Sequence, residues 1–205
     1  MTATALIAFV LAAGLLTVTP GIDTALVLRT AGVEGARKAA LAGLGIALGC
    51  LAWGVFVALG LGLLLQASEL AYTILRWAGA AYLVWLGIKL IRSRREGLIE
   101  AEAEKTDGGA WLRRGLLTNL LNPKVGIFYV SFLPQFIPAG ADVQSTTILL
   151  AAIHAGLGLA WFGALILATR PIAAALRRPG TVRLLDRLTG GLFLMFGARL
   201  ALVHD

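Results

Sequence analysis

Of the 205 residues, 59% are hydrophobic and only 14% are charged, against roughly 25% charged in ordinary soluble domains. That is about 121 apolar residues, which excludes a soluble enzyme, a disordered chain and a disulfide scaffold, and would fill about six spans of about 20 residues each. The net charge of +7 would suggest nucleic acid in a soluble protein, but positive-inside topology is the more economical cause; the single cysteine, Cys50, rules out an internal disulfide.

Taken in chain order, the apolar runs predict an all-α membrane protein with six transmembrane helices, near residues 4–28, 39–65, 70–91, 114–137, 145–169 and 184–203. The first nine residues contain no Lys or Arg, so no basic n-region of a cleaved signal is expected and the first run is retained. The second run is the clearest, with no charge between 39 and 65. The sixth is the weakest, because Arg187 and Arg199 must snorkel or face protein. Fifteen of the 18 Lys and Arg residues fall in three connections on one side, starting with Arg29, Arg37 and Lys38 after the first span. By the positive-inside rule these connections are cytoplasmic and both termini periplasmic. The stretch 93–110 mixes Arg94 and Arg95 with several acids and reads as a solvated cytoplasmic linker. It would join two three-helix halves, 1–92 and 111–205, within a single transmembrane domain.

Those halves resemble each other. Gly14-Leu15-Leu16-Thr17 before Pro20 is echoed by Gly115-Leu116-Leu117-Thr118 before Pro123; Ala52-Trp53 recurs as Ala160-Trp161; Gly87-Ile88-Lys89-Leu90 recurs as Gly197-Ala198-Arg199-Leu200. Coincidence between apolar helices is the alternative. A three-span repeat places its second copy upside down, giving two inverted repeats, an architecture of secondary transporters that bind substrate near the midplane between interrupted helices.

The interruptions are expected in the first and fourth spans. Thr19, Pro20 and Gly21 should open the backbone, and the carboxylate of Asp23 follows at a depth where an ionisable group is a functional candidate. Its bland alternative is a cap on the restarted helix. In the second half, Asn119 and Asn122 precede Pro123 and Lys124. A zwitterionic amino acid would fit Asp23 on its ammonium and Lys124 on its carboxylate; a buried Asp23–Lys124 ion pair is the competing reading. His154 could relay protons or simply pack; Gln135 and Tyr129 could line a polar cavity. Gly45 and Gly49 form a GxxxG that could serve a homodimer. Zinc-ligand clusters, phosphate-binding glycine loops and nucleophile elbows are absent from the sequence, so neither an enzyme nor a cofactor is expected.

The segments TPGID at 19–23, GARKAALAGLGIALG at 35–49, RWAGAAYLVWLGIKLIRS at 76–93 and GLLTNLLNPKVGIFYVSFLPQF at 115–136 resemble the LysE/RhtB family of bacterial amino-acid exporters. Asn119, Asn122, Pro123, Lys124, Pro134, Gln135 and Phe136 all follow the family pattern, whereas Ile22 stands where the family usually has proline. The resemblance implies a six-helix inner-membrane exporter of amino acids or their derivatives, driven by the proton gradient and plausibly dimeric, with no nucleic-acid partner. The alternative is a channel using the same breaks as a filter.

Overall fold

The computed structural model describes residues 3–67, 69–92, 108–168 and 178–202, and among them the chain is helical throughout. Helix α1 (Ala3–Val18) and α2 (Ile22–Val33) are the two arms of the first expected span, bent by 54°. The break falls at Thr19–Gly21, because Pro20 removes a helical N–H. The second arm runs five residues past the expected end, to Val33, where Gly35, at φ 95°, donates to the Thr30 carbonyl and ends it. Only glycine adopts that φ without strain. Helix α3 (Ala36–Ala67) and α4 (Glu69–Arg92) follow.

The second half repeats this order. Helix α5 (Gly108–Leu120) and α6 (Pro123–Ile127) flank a second break, and the bend between 109–120 and 123–136 is 53°. Pro123 occupies the first turn of α6, where its missing N–H is harmless, and the Asn122 side chain caps that turn by accepting from the Lys124 amide at 3.1 Å. A π turn (Phe128–Phe132) and a 3-10 turn (Leu133–Phe136) extend it, followed by α7 (Val143–Leu167), capped by Asp142, and α8 (Pro179–Leu202).

Two of these helices, α3 over Ala36–Gly60 and α7, are long and apolar enough to cross a membrane by themselves, and each bent pair adds a third and a fourth candidate. Among the described residues, length and composition thus give two to four candidate spans. Helices α4 and α8 are each 24 residues, about 36 Å at 1.5 Å per residue, so length is not what separates them. Arg183, Asp186, Arg187 and Arg199 charge α8 heavily, whereas α4 carries only Arg76 and Lys89 between Ile74 and Ile91. The linker at 93–107 and the basic residues Arg170 and Arg177 lie outside the described residues, as does the side chain of Arg199.

Glycines mark the helix contacts, and two contacts are reciprocal. A Cβ on Gly87 would meet the Gly190 carbonyl at 2.7 Å and the Leu194 side chain at 3.0 Å; one on Gly197 would meet the Ala80 carbonyl at 3.1 Å and the Val84 side chain at 3.0 Å. Each residue of the first set stands 110 positions from its counterpart in the second. Between α3 and α7, Gly43 faces Phe162 and Gly54 faces Ala151, again a reciprocal pair at a spacing of 108. In both cases residue i meets j while the residue at the same spacing from j meets the one at the same spacing from i.

The contact between α3 and α5 lacks such a mate. Gly45 lies against the Leu112 and Leu116 backbone, Gly49 against Asn119, and Gly115 against the Ala42 backbone, whereas Gly14, in the corresponding sequence of α1, has open space around it. Gly45 and Gly49 therefore serve packing within the chain and not the dimer face expected of a GxxxG. Two apolar clusters complete the interior. One holds α1, α8 and the irregular turns together through Phe9, Phe132 and Phe196, the last two with centroids 4.2 Å apart; the other gathers Val27, Ile46, Phe162 and Leu165 around α2, α3 and α7.

Candidate functional site

Between the two apolar clusters lies a cavity at the junction of both helix breaks, lined on its polar side by Asp23, Asn119, Asn122, Lys124 and His154, with Cys50 beside them. It offers about 40 Å³ to the centres of water molecules, room for about three.

Each break is braced by a residue from the other half. Proline and the chain end of α1 leave carbonyls without helical donors, and the Lys124 ammonium donates to two of them, Thr19 O at 2.9 Å and Leu16 O at 3.2 Å. A cation is favoured there by the negative end of the helix dipole as well. Gly21 makes this possible, since a Cβ at that position would come within 3.1 Å of the Lys124 ammonium. Conversely, the Asn119 amide near the end of α5 donates to Asp23 Oδ2 at 2.9 Å. Asp23 sits in the first turn of α2, whose cap, Gly21, provides no side-chain bond. Its carboxylate is thus directed to Asn119 across the break and is not the cap that the bland reading expects.

Three buried polar atoms here have no hydrogen-bond partner: Asp23 Oδ1, Asn119 Oδ1 and Asn122 Nδ2. Asn119 is 0% and Asn122 4% exposed, and an unmatched buried polar group costs roughly 1–3 kcal/mol. Two acceptors and one donor left open beside a carboxylate and an ammonium form a set that a small solute with both kinds of group would complete. Dominant acceptor character toward Asp23 suits an alkylammonium; Asn122 Nδ2 and the Lys124 side suit a carboxylate.

His154 also lines the cavity, but its ring is held: Nδ1 is 3.1 Å from the Tyr129 hydroxyl, and the ring packs on Phe128 at 4.8 Å. Tyr129, in turn, stacks on Trp53. Thr19 is fully buried, and its hydroxyl donates to Leu15 O and shares a short hydrogen bond with Thr189 of α8. Gln135 and Tyr129, both expected to line a polar cavity, do not line this one. The Gln135 amide bonds the Ser131 carbonyl at 2.9 Å within the irregular turns. Cys50, by contrast, was read only as the lack of a disulfide; its thiol accepts from Asn119 at 3.6 Å on the cavity wall. Its position in α3, one turn before Trp53 and facing the break at Asn119, carries no signal that sequence reasoning could use.

The family model of LysE type translocators matches residues 15–204. The chain belongs to the LysE type translocator family. As a translocator it is a membrane transport protein and not an enzyme. It is 34% identical over 195 residues to a homoserine/homoserine lactone efflux protein of Salmonella typhi, covering 95% of this chain and 94% of the relative. A leucine efflux protein of Enterobacter sp. (strain 638) is 33% identical over 206 residues, covering 96% and 94%. A Vibrio cholerae membrane protein without assigned function is 32% identical, covering 95% of each chain. No solved structure gives a significant match.

Proposed function

We propose that this translocator exports amino acids across the bacterial inner membrane by alternating access, with the cavity at the two breaks as its substrate site. The observation that carries the reading is the set of three unpartnered buried atoms, Asp23 Oδ1, Asn119 Oδ1 and Asn122 Nδ2, beside two opposite charges. Asp23 and Asn119 take the substrate ammonium; Asn122 and Lys124 take its carboxylate. The names of the relatives, one for leucine and one for homoserine, agree with that chemistry. His154 is held by Tyr129 as a wall residue, Gln135 lies outside the site, and Asp23 is the residue through which a proton gradient is coupled to efflux.

The same reading completes the architecture. Helices α4 and α8 are the third and sixth spans, so six spans form one domain of two inverted halves, 1–92 and 111–205, joined by a cytoplasmic linker at 93–110. The reciprocal glycine contacts at spacings of 108 and 110 and the bends of 54° and 53° support the two-fold relation. The basic connections place the linker and the turns after α2 and α7 in the cytoplasm, and both termini in the periplasm. A homodimer would need a face other than Gly45 and Gly49.

The test is efflux in the coupled direction. Inside-out vesicles energised by a proton gradient and carrying the wild-type chain should accumulate labelled leucine or homoserine. Asp23→Asn, which keeps the shape and loses the charge, should abolish the gradient-dependent part. Wild-type accumulation with normal pH dependence in that variant would remove Asp23 from the mechanism.

A further inference from the structure

We propose that Phe162 and Gly158 form the side-chain subsite of this cavity, and that they restrict it to α-amino acids with an uncharged aliphatic side chain of about leucine's size or smaller. The inference rests on the amino-acid reading above and adds to it the class of side chain.

The polar lining accounts for an ammonium and a carboxylate, so the side chain of the substrate must lie along the rest of the wall. The polar wall cannot make room for it without breaking the bonds of Lys124 to Leu16 and Thr19 or that of Asn119 to Asp23. The opposite wall can. There the cavity is bounded by Ile46, Ala155, Gly158 and Phe162, and the Phe162 ring stands between two glycines: its Cβ is 3.4 Å from where a Cβ of Gly43 would lie, and its Cε2 is 3.8 Å from one on Gly158. The Phe162 ring is therefore the bulk that a substrate side chain meets on this wall, and Gly158 leaves the space beside it unfilled.

The ring is also an exception to the repeat. The position 108 residues earlier is Gly54, which has no side chain, faces Ala151 and has the Tyr129 ring 3.9 Å from where its Cβ would lie. Charge selection follows from the lining. Asp23 is the one acid among the described residues that line the cavity, and it is engaged by the substrate's own ammonium. A cationic side chain directed toward Ile46 and Phe162 would be buried without a counter-charge.

The measurement is competition by unlabelled amino acids against labelled leucine in energised inside-out vesicles carrying the full chain. In the wild type, alanine, valine and leucine should compete, while phenylalanine and lysine should compete at least tenfold more weakly, a span typical of one or two methylene groups in a pocket. Phe162→Ala should strengthen phenylalanine about tenfold relative to leucine. Gly158→Ala adds a methyl at ordinary contact distance from Phe162, so it keeps the fold, and it should weaken leucine about tenfold relative to alanine. An unchanged rank order in both variants overturns the subsite, and lysine competing as well as leucine overturns the charge restriction. If Phe162→Ala fails to fold, Gly158→Ala decides alone. Failure of the underlying reading looks different: 4-methylpentanoate, which lacks the ammonium, would compete as well as leucine in the wild type.

Discussion

The same substitution at two repeat-related glycines is expected to move stability in opposite directions. In Gly115→Ala the new methyl would run into the Ala42 carbonyl of α3. That obstacle is backbone and cannot rotate aside, so α5 must move away and loosen the neighbouring Gly45 and Gly49 contacts. Overpacking of this kind costs about 1–3 kcal/mol, at the upper end when backbone is the obstacle, and the helix propensity gained by replacing glycine returns up to about 1 kcal/mol. The net expectation is a loss of about 2 kcal/mol. In Gly14→Ala the methyl meets nothing within 4 Å, leaving the propensity gain of about 0.5–1 kcal/mol. The two variants should thus differ by about 2.5–3 kcal/mol. At about 2–4 °C per kcal/mol for a chain of this length, that is at least about 5 °C in Tm. Thermal unfolding in detergent, followed by helical circular dichroism, measures it. Equal shifts of one sign would refute the argument, because they would mean that the close approach of α5 to α3 is not what holds these helices.

Two further effects follow from the same geometry. Lys124→Met removes two charge-assisted bonds to the Leu16 and Thr19 carbonyls, each worth about 1.5–3 kcal/mol, so chemical denaturation should show a loss of about 3 kcal/mol or more; an unchanged midpoint would exclude the brace. Gly21→Ala should give part of that loss, since its methyl crowds the same ammonium. At the start of α7, the Ser145 side chain and backbone amide hold the Asp142 carboxyl below its ordinary range. A carboxyl lowered on folding contributes stability above its unfolded value and loses it as pH falls through the folded one. Protection of the first α7 amides from hydrogen exchange should therefore decline on acidification below about pH 4 in the wild type, whereas in Asp142→Asn, where the amide oxygen can still cap, it should not; an Asn variant with the same decline would exclude Asp142.

The helix breaks were legible because proline acts locally, through a missing donor and a steric clash that no tertiary context cancels. Asp23, Asn119, Asn122 and Lys124 were legible for a related reason: polar side chains next to a break in an apolar run have few places to go. Their partners were not. The competing reading paired Asp23 with Lys124; the two charges do attract each other, but the hydrogen bonds of Lys124 go to the α1 carbonyls and that of Asp23 to the Asn119 amide. Spacing along a chain sets no distance between halves. Gln135 was misplaced because the π and 3-10 turns between Phe128 and Phe136 change the rotation per residue, so helical reckoning from Lys124 points it the wrong way.

The pairing of Gly87 with Gly190 and Leu194, and of Gly197 with Ala80 and Val84, has the form of an interface between two identical subunits. Each residue is used once as donor of surface and once, through its copy, as acceptor. Under the proposed architecture of two inverted halves, the chain would hold a symmetric dimer of three-helix units inside a single polypeptide. In a separate dimer both copies must keep the same residue, so neither could lose Lys124 or gain Asp23 alone. Joining them lets the two halves diverge, and an acid on one break with a base on the other is a polarity that no pair of identical subunits can have.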